Sequence, residues 1–232
     1  MQNKIKYYFL IMIIGALFWQ CSETKELDPN DLGTNYYPLK VGEYRIYQVE
    51  GVRYFTYEDS VVFSYQLKET VMDTFSNLES SISFKILRQK RSNINESWVI
   101  DSLWTARKDQ RTAVSVENNV HLVKLSFPVE ENKTWDTNSL NDYTEDEFEM
   151  VDVRKPFSND YVSYDNAVTV IQEDIPDVIV NTVSKKEVYG DNVGLVYKEN
   201  IILTYRQDEF MGLEIIENGI RYYQYLVEYG EE

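Results

Sequence analysis

The chain of 232 residues has one cysteine, one histidine, nine glycines and five prolines. A single thiol cannot close an intrachain disulfide, so the fold must rest on packing and sheet hydrogen bonds. The one histidine, His121, sits in Asn119-Val120-His121-Leu122-Val123 without a second histidine or a spare cysteine. That removes the common zinc sites and leaves a Ser-His-Asp triad without ordinary partners, so His121 reads as a strand residue. Gly-rich phosphate loops, Gly-x-Ser-x-Gly elbows and dinucleotide fingerprints are also missing. Basic residues are scarce, 23 against 39 acids, for a formal charge of −16. A surface so acidic repels nucleic acid and anionic headgroups. So many acids also make the proximity of any two carboxylates uninformative about glycoside hydrolysis.

No apolar run reaches the ~20 residues that a membrane-spanning helix requires. What is present at the N-terminus is a leader: Lys4 and Lys6, then an uncharged apolar stretch from Tyr7 to Trp19, then Cys21 ahead of Ser22-Glu23-Thr24-Lys25-Glu26. Residues 1–20 are therefore read as a signal peptide. The arrangement resembles bacterial lipoprotein signals, which implies that Cys21 is lipidated, becomes the first mature residue and is palmitoylated. Phe18, Trp19 and Gln20 occupy positions that usually hold Leu and small residues. Two or more acyl chains hold a protein stably on a membrane. Loss of Lys4 and Lys6 makes the mature body more acidic still, so its membrane contact should run through the lipid alone.

Residues 21–35 are polar, contain Pro29 and Gly33 and lack periodicity; they read as a flexible tether. Residues 36–232 read as a single β-rich domain, rich in the aromatics that favour pleated surfaces, with 19 tyrosines. Alternation begins at Tyr44 and Ile46, continues through Phe63, Tyr65 and Leu67, and recurs at Ile82, Phe84 and Ile86. Trp98, Ile100, Ser102 and Trp104 should share one face of the next strand. Arg111–Val116 should pair with Val120–Phe127 across Glu117-Asn118-Asn119, and polar loops are expected at Asp73–Ser80 and Lys90–Glu96. Asp136–Glu147, the longest polar break, marks a domain boundary or a functional loop. Strands resume at Phe148–Val153, Val162–Glu173, Val178–Tyr189 and Val193–Tyr205. Asn218-Gly219 predicts a closing hairpin between Met211–Glu217 and Ile220–Tyr229. No stretch has helical periodicity. The fold class is all-β, an antiparallel meander forming a curved sheet, open barrel or sandwich with few short helices.

Three stretches stand out together: Tyr37-Pro38-Leu39-Lys40-Val41-Gly42, then Phe127-Pro128-Val129 leading to Trp135, and Tyr189-Gly190-Asp191-Asn192-Val193-Gly194-Leu195-Val196. In these the chain resembles uncharacterised Gram-negative envelope lipoproteins. The resemblance implies a β-rich, lipid-anchored outer-membrane protein, on the periplasmic face or the cell surface, and brings no catalytic motif. Arg45 and Asn132 depart from that pattern, which has bulky apolar and Gly residues there. Gly42 and Gly194 read as positions needing positive φ or close backbone approach, and Pro128 as a strand terminator.

Asp142, Glu145, Asp146, Glu147 and Glu149 form the densest acidic run, but without EF-hand spacing or a central glycine they read as a solvated loop. Trp98, Trp104 and Trp135 offer either a ligand face or sheet packing, with packing favoured. No catalytic, metal or cofactor residues are assigned, and the domain is taken as monomeric. The leading reading is a non-catalytic binding or scaffolding lipoprotein with an envelope protein, glycan or lipid as partner. A carrier of a hydrophobic ligand would instead need a contiguous apolar cavity of several hundred Å³. A carboxylate-dependent glycan hydrolase would need a cleft holding a raised-pKa acid beside a second carboxylate.

Overall fold

The computed structural model describes residues 28–76, 82–177 and 179–232. The leader, Cys21 and residues 22–27 lie outside the described residues, as do 77–80 of the loop expected at Asp73–Ser80, whose residues 73–76 instead extend a strand. Alternating sequence becomes antiparallel strand nearly throughout. The first half contributes β1 (Glu43–Phe55), β2 (Glu58–Ser76), β3 (Ile82–Arg91), β4 (Val99–Lys108), β5 (Thr112–Glu117) and β6 (Val120–Ser126). The second contributes β7 (Thr134–Asp136), β8 (Glu147–Ser158), β9 (Ser163–Asp177), β10 (Asn181–Gly190), β11 (Gly194–Tyr205) and β12 (Ile216–Glu231).

All twelve join one sheet in the order β6-β5-β4-β3-β2-β1-β12-β11-β10-β9-β8-β7. Two meanders thus meet along the β1–β12 pair. A sheet this wide twists and curls, and here the curl brings its two ends together. The Val123 amide of β6 donates to the Thr137 carbonyl at 2.9 Å, and the Trp135 indole of β7 donates to the Val123 carbonyl at 2.8 Å. The result is a nearly closed barrel. Residues 137–146, within the expected polar break, connect β7 to β8 and lie inside the second meander, so no domain boundary falls there.

One apolar cluster lies where the ends meet and gathers Leu125, Phe127, Val129, Phe148, Met150, Val168, Val170, Tyr189 and Tyr36. A second joins Tyr47, Val49 and Leu67 to Val188, Val196, Tyr197, Tyr225 and Val162. It is completed by the β8–β9 hairpin, whose Phe157 packs on Tyr197 at 5.4 Å and whose Tyr161 stacks on Tyr225 at 4.1 Å. Register shifts in β8, with positive φ at Asp152 and Arg154, mark the irregularity that bends this strand.

The expected tether is shorter than residues 21–35. Its described part is folded: α1 (Pro29–Leu32) leads through Gly33 into a 3-10 turn (Thr34–Tyr36), and Leu32 and Tyr36 are buried. Gly33 adopts a left-handed φ of 75° against Val129, whose Cγ2 would lie 2.2 Å from any Cβ at that position. The Val129 amide donates to the Leu32 carbonyl, and Lys108 Nζ donates to the Thr34 carbonyl at 2.8 Å. Two apolar residues in a polar stretch were enough to dock it.

Two local expectations fail. Asn218-Gly219 makes no hairpin, because it lies inside β12, where Asn218 pairs with Thr204 and Gly219 with Leu203. Gly219 is needed for close approach: a Cβ there would stand 2.1 Å from the Ile202 carbonyl oxygen. The reversal lies instead between Tyr205 and Ile216. Trp98, Ile100, Ser102 and Trp104 do not share a face. A bulge at Asp101, between the pairs Arg88–Ser102 and Gln89–Ile100, reverses the alternation. Gly42 and Gly194 do adopt positive φ, 92° and 89°. β6 ends at Ser126, ahead of a cis Phe127–Pro128 bond.

Because Tyr36 anchors the N-terminal segment in the barrel core, Tyr36→Ala should lower unfolding free energy by about 3 kcal/mol, as large aromatic truncations do. Urea unfolding would measure it, and an unchanged midpoint would mean the segment is a loose appendage.

Candidate functional site

The barrel interior holds a cavity of about 330 Å³, and its wall carries charge. Cross-strand register explains why. Glu187 of β10 lies opposite Lys198 of β11, which lies opposite Gln224 of β12, then Val49 of β1 and Tyr65 of β2. Residues directly opposite share a face, so these five form one band of the wall. Lys124 joins it from β6, where a register shift leaves it as the extra residue between Val123 and Leu125.

Glu187 is 1% exposed and receives three donors. Lys124 Nζ and Lys198 Nζ each donate to Oε1 at 2.8 Å, and the Tyr189 hydroxyl donates to Oε2 at 2.6 Å. Glu117 stands 3.6 Å from the Lys124 ammonium. Burial alone would raise the Glu187 carboxyl, but Lys124 and Lys198 outweigh it and hold the pKa well below the usual carboxylate range. Burial would likewise lower the Lys124 ammonium, and Glu187 and Glu117 reverse that and raise it. Burial pushes the nearby hydroxyls of Tyr37, Tyr47 and Tyr189 up, so they remain neutral donors.

A second ionic group lies on the β2–β3 wall. Arg88 Nε donates to Glu69 at 2.9 Å, and the guanidinium stacks on Trp104 at 3.6 Å. Its remaining N–H groups have Asp101 at 3.9 Å, beyond hydrogen-bond reach. Lys90 lies further along, 2.7 Å from Asp101. Arg45 works differently: it donates to the Val193 and Pro38 carbonyls, and a Cβ at Gly194 would stand 3.0 Å from its Nε. The first and third of the stretches singled out in the sequence thus meet at this cavity, tied by Arg45. Tyr37 and Tyr189, one from each, have ring centroids 6.2 Å apart.

Four buried side-chain polar atoms among the described residues have no hydrogen-bonding partner: Asn35 Oδ1, Tyr47 Oη, Trp104 Nε1 and Asn200 Oδ1. The last three belong to residues that line this cavity. Such atoms are uncommon, and each costs about 1–3 kcal/mol.

The residues noted in the sequence are scattered. Cys21 lies outside the described residues. His121 is exposed on β6, and its carbonyl accepts from Asn141 Nδ2 at 2.7 Å. Asp142, Glu145 and Asp146 are exposed in the β7–β8 connection, Glu147 is exposed at the start of β8, and Glu149 is half-buried further along that strand. Partial burial, opposed by Lys185 and aided by Glu173 and Asp136, raises the Asp146 carboxyl. Asp146 does not line the cavity. Among the described residues no group of three or more His, Cys, Asp or Glu side chains is placed to hold a metal. The tryptophans separate: Trp98 lies under Arg91, Trp135 packs edge-on against Phe148 in the core, and Trp104 alone lines the cavity.

The cavity has a carrier's volume, but charged side chains interrupt its apolar and aromatic wall. The hydrolase reading needs a raised acid, whereas Glu187, sealed in the wall, is held low. No protein-family model and no curated protein matches the chain. Among solved structures, the chain is similar to a candidate exported protein with a YmcC-like fold from Bacteroides fragilis, with 11% identity over 84% of this chain and 98% of that one and a TM-score of 0.44. A candidate lipoprotein from Parabacteroides distasonis gives 11% identity, the same two coverages and a TM-score of 0.40.

Removing one partner of a buried ion pair costs about 3–5 kcal/mol, so Lys124→Met should destabilise by that amount. Lys198→Met should cost distinctly less, because Lys198 is more exposed and Lys124 still neutralises Glu187. Chemical unfolding of both variants tests the order. A depressed folded-state pKa contributes stability above the unfolded carboxylate value near ~4.3, and that stability is lost as pH falls through the folded value. Stability should therefore fall with acidification below about pH 4, more gently in Glu187→Gln than in the wild type.

Proposed function

We propose that the protein is a lipid-anchored envelope protein, held at the outer membrane through Cys21, whose barrel cavity binds a small polar molecule without transforming it. The observation that carries the binding reading is the coincidence of a cavity of about 330 Å³ with three partnerless polar atoms on its lining residues. A site that serves only to pack a barrel would fill with apolar side chains or pair its polar groups. Here polar groups without a protein partner face the cavity along one wall, as at sites shaped for a ligand. The charged wall argues against a bare hydrocarbon ligand, and the low carboxyl of Glu187 argues against acid catalysis. The lipid anchor rests on the leader sequence and on the position of Cys21 directly after it.

Two measurements test the two parts. Feeding cells an alkyne fatty acid should label the wild type and leave Cys21→Ala unlabelled; equal labelling of both would remove the anchor. Native mass spectrometry of protein purified gently from its own host should reveal a non-covalent adduct of small-molecule mass that is reduced in Trp104→Phe. Protein that leaves the cell without any adduct, and whose melting temperature a small-molecule extract of the same cells does not move, would remove the binding reading.

A further inference from the structure

Five cationic side chains line the cavity against three carboxylates, inside a chain whose formal charge is −16. The protein has concentrated positive charge where its overall composition would least supply it. Not all of that charge is engaged. Glu117 and Glu187 together neutralise Lys124 and Lys198, Arg45 is bound to two carbonyls and to Glu43, and Lys90 is paired with Asp101. Arg88 gives its Nε to Glu69, and among the described residues its outer guanidinium edge has no hydrogen bond, the nearest carboxylate being Asp101 at 3.9 Å. That edge is planar, and its N–H pair matches an oxygen pair. Trp104 Nε1, a donor only, lies in the same wall. Tyr47 Oη can donate or accept, and Asn200 Oδ1 is an acceptor without a donor. Beside Arg88, the unmet demand at Trp104 is for an acceptor.

Resting on the cavity-binding reading above, we propose that the ligand is a small organic carboxylate with a flat apolar body, its carboxylate on the outer edge of Arg88 and its body among Tyr65, Trp104 and Tyr222. The aromatic walls favour a planar body. The carboxylates of the cavity are already paired, so the free edge of Arg88 offers a ligand one positive charge, which favours a monoanion over a phosphate dianion.

The test uses three probes of one shape: benzoate, benzamide and phenyl phosphate, titrated into full-length protein while the indole and amide signals are followed by NMR. Charge-assisted hydrogen bonds are stronger than neutral ones, so benzoate should bind about tenfold more tightly than benzamide and more tightly than phenyl phosphate. Arg88→Gln combined with Glu69→Gln removes both partners of the pair and leaves no stranded charge. That variant should keep the wild-type amide fingerprint and lose the preference for benzoate over benzamide. Trp104→Phe, which keeps every charge, should weaken benzoate several-fold. Benzamide binding as tightly as benzoate, or phenyl phosphate binding more tightly, would overturn the carboxylate assignment while leaving the cavity a binding site. Failure of all three probes to bind would overturn it too; the native mass measurement, which presumes no ligand, then decides the binding reading separately.

Discussion

A carboxylate sealed inside a barrel has to be neutralised from within, and the arrangement around Glu187 imposes that condition on the whole sheet. Its two oxygens accept hydrogen bonds from three strands: from Lys124 of β6, Lys198 of β11 and Tyr189 of β10 itself. β6 and β10 are not neighbours in the sheet order. The Lys124–Glu187 contact therefore exists only because the sheet has curled, and it favours the curl in return. Losing Lys124 would leave one ammonium, that of Lys198, on Glu187 and take away the one that Glu117 faces, which costs more than the pair gains over an apolar replacement. Such a contact specifies geometry more than it adds stability.

Closure has a second source. At the seam, β6 and β7 exchange too few backbone hydrogen bonds to count as paired strands in the sheet order, so side chains complete the join. The Trp135 indole and the Thr137 hydroxyl both donate to the Val123 carbonyl. On the inner side, Tyr36 and Val129 pack in the apolar cluster there, bringing in the N-terminal segment and the connection between the two meanders. The barrel is apolar at this seam and polar along the wall of β1, β2, β3 and β11. That division leaves the cavity at the polar wall, where paired ions keep their distance and pack less completely than aliphatic side chains would.

Much of the fold was legible in the sequence, because period-2 alternation follows directly from one wet and one buried face. Tyr44 to Gln48, Phe63 to Leu67 and the Asn118-Asn119 hairpin needed no tertiary information. Reading failed where a bulge intervened. One extra residue at Asp101 reversed the faces of Trp98 and Trp104, and Asn218-Gly219, a strong local turn signal, was overridden by two partner strands that flank it in space. The candidate site was hardly legible at all. A lysine between Val123 and Leu125 looks like the solvent-facing member of an alternating strand, and only the register shift beside it turns Lys124 inward. Glu187, after two lysines, looks like surface charge. Arg45 stood out only as a departure from the pattern of the resembled lipoproteins, yet it joins the two stretches that carry most of that resemblance.

The same shift explains how an acidic protein comes to hold a cation-rich interior. Alternation places every second strand residue inside, whatever its charge, so the sign of a cavity is set by a handful of positions and is independent of the sign of the surface. Acids crowd the exterior and the loops, where hydration screens them within about 10 Å. The few cations turned inward act in a medium where charges are felt several times more strongly. For the anionic ligand proposed above, an acidic exterior supplies no long-range attraction, so selection would rest on fit against the free edge of Arg88 inside the cavity.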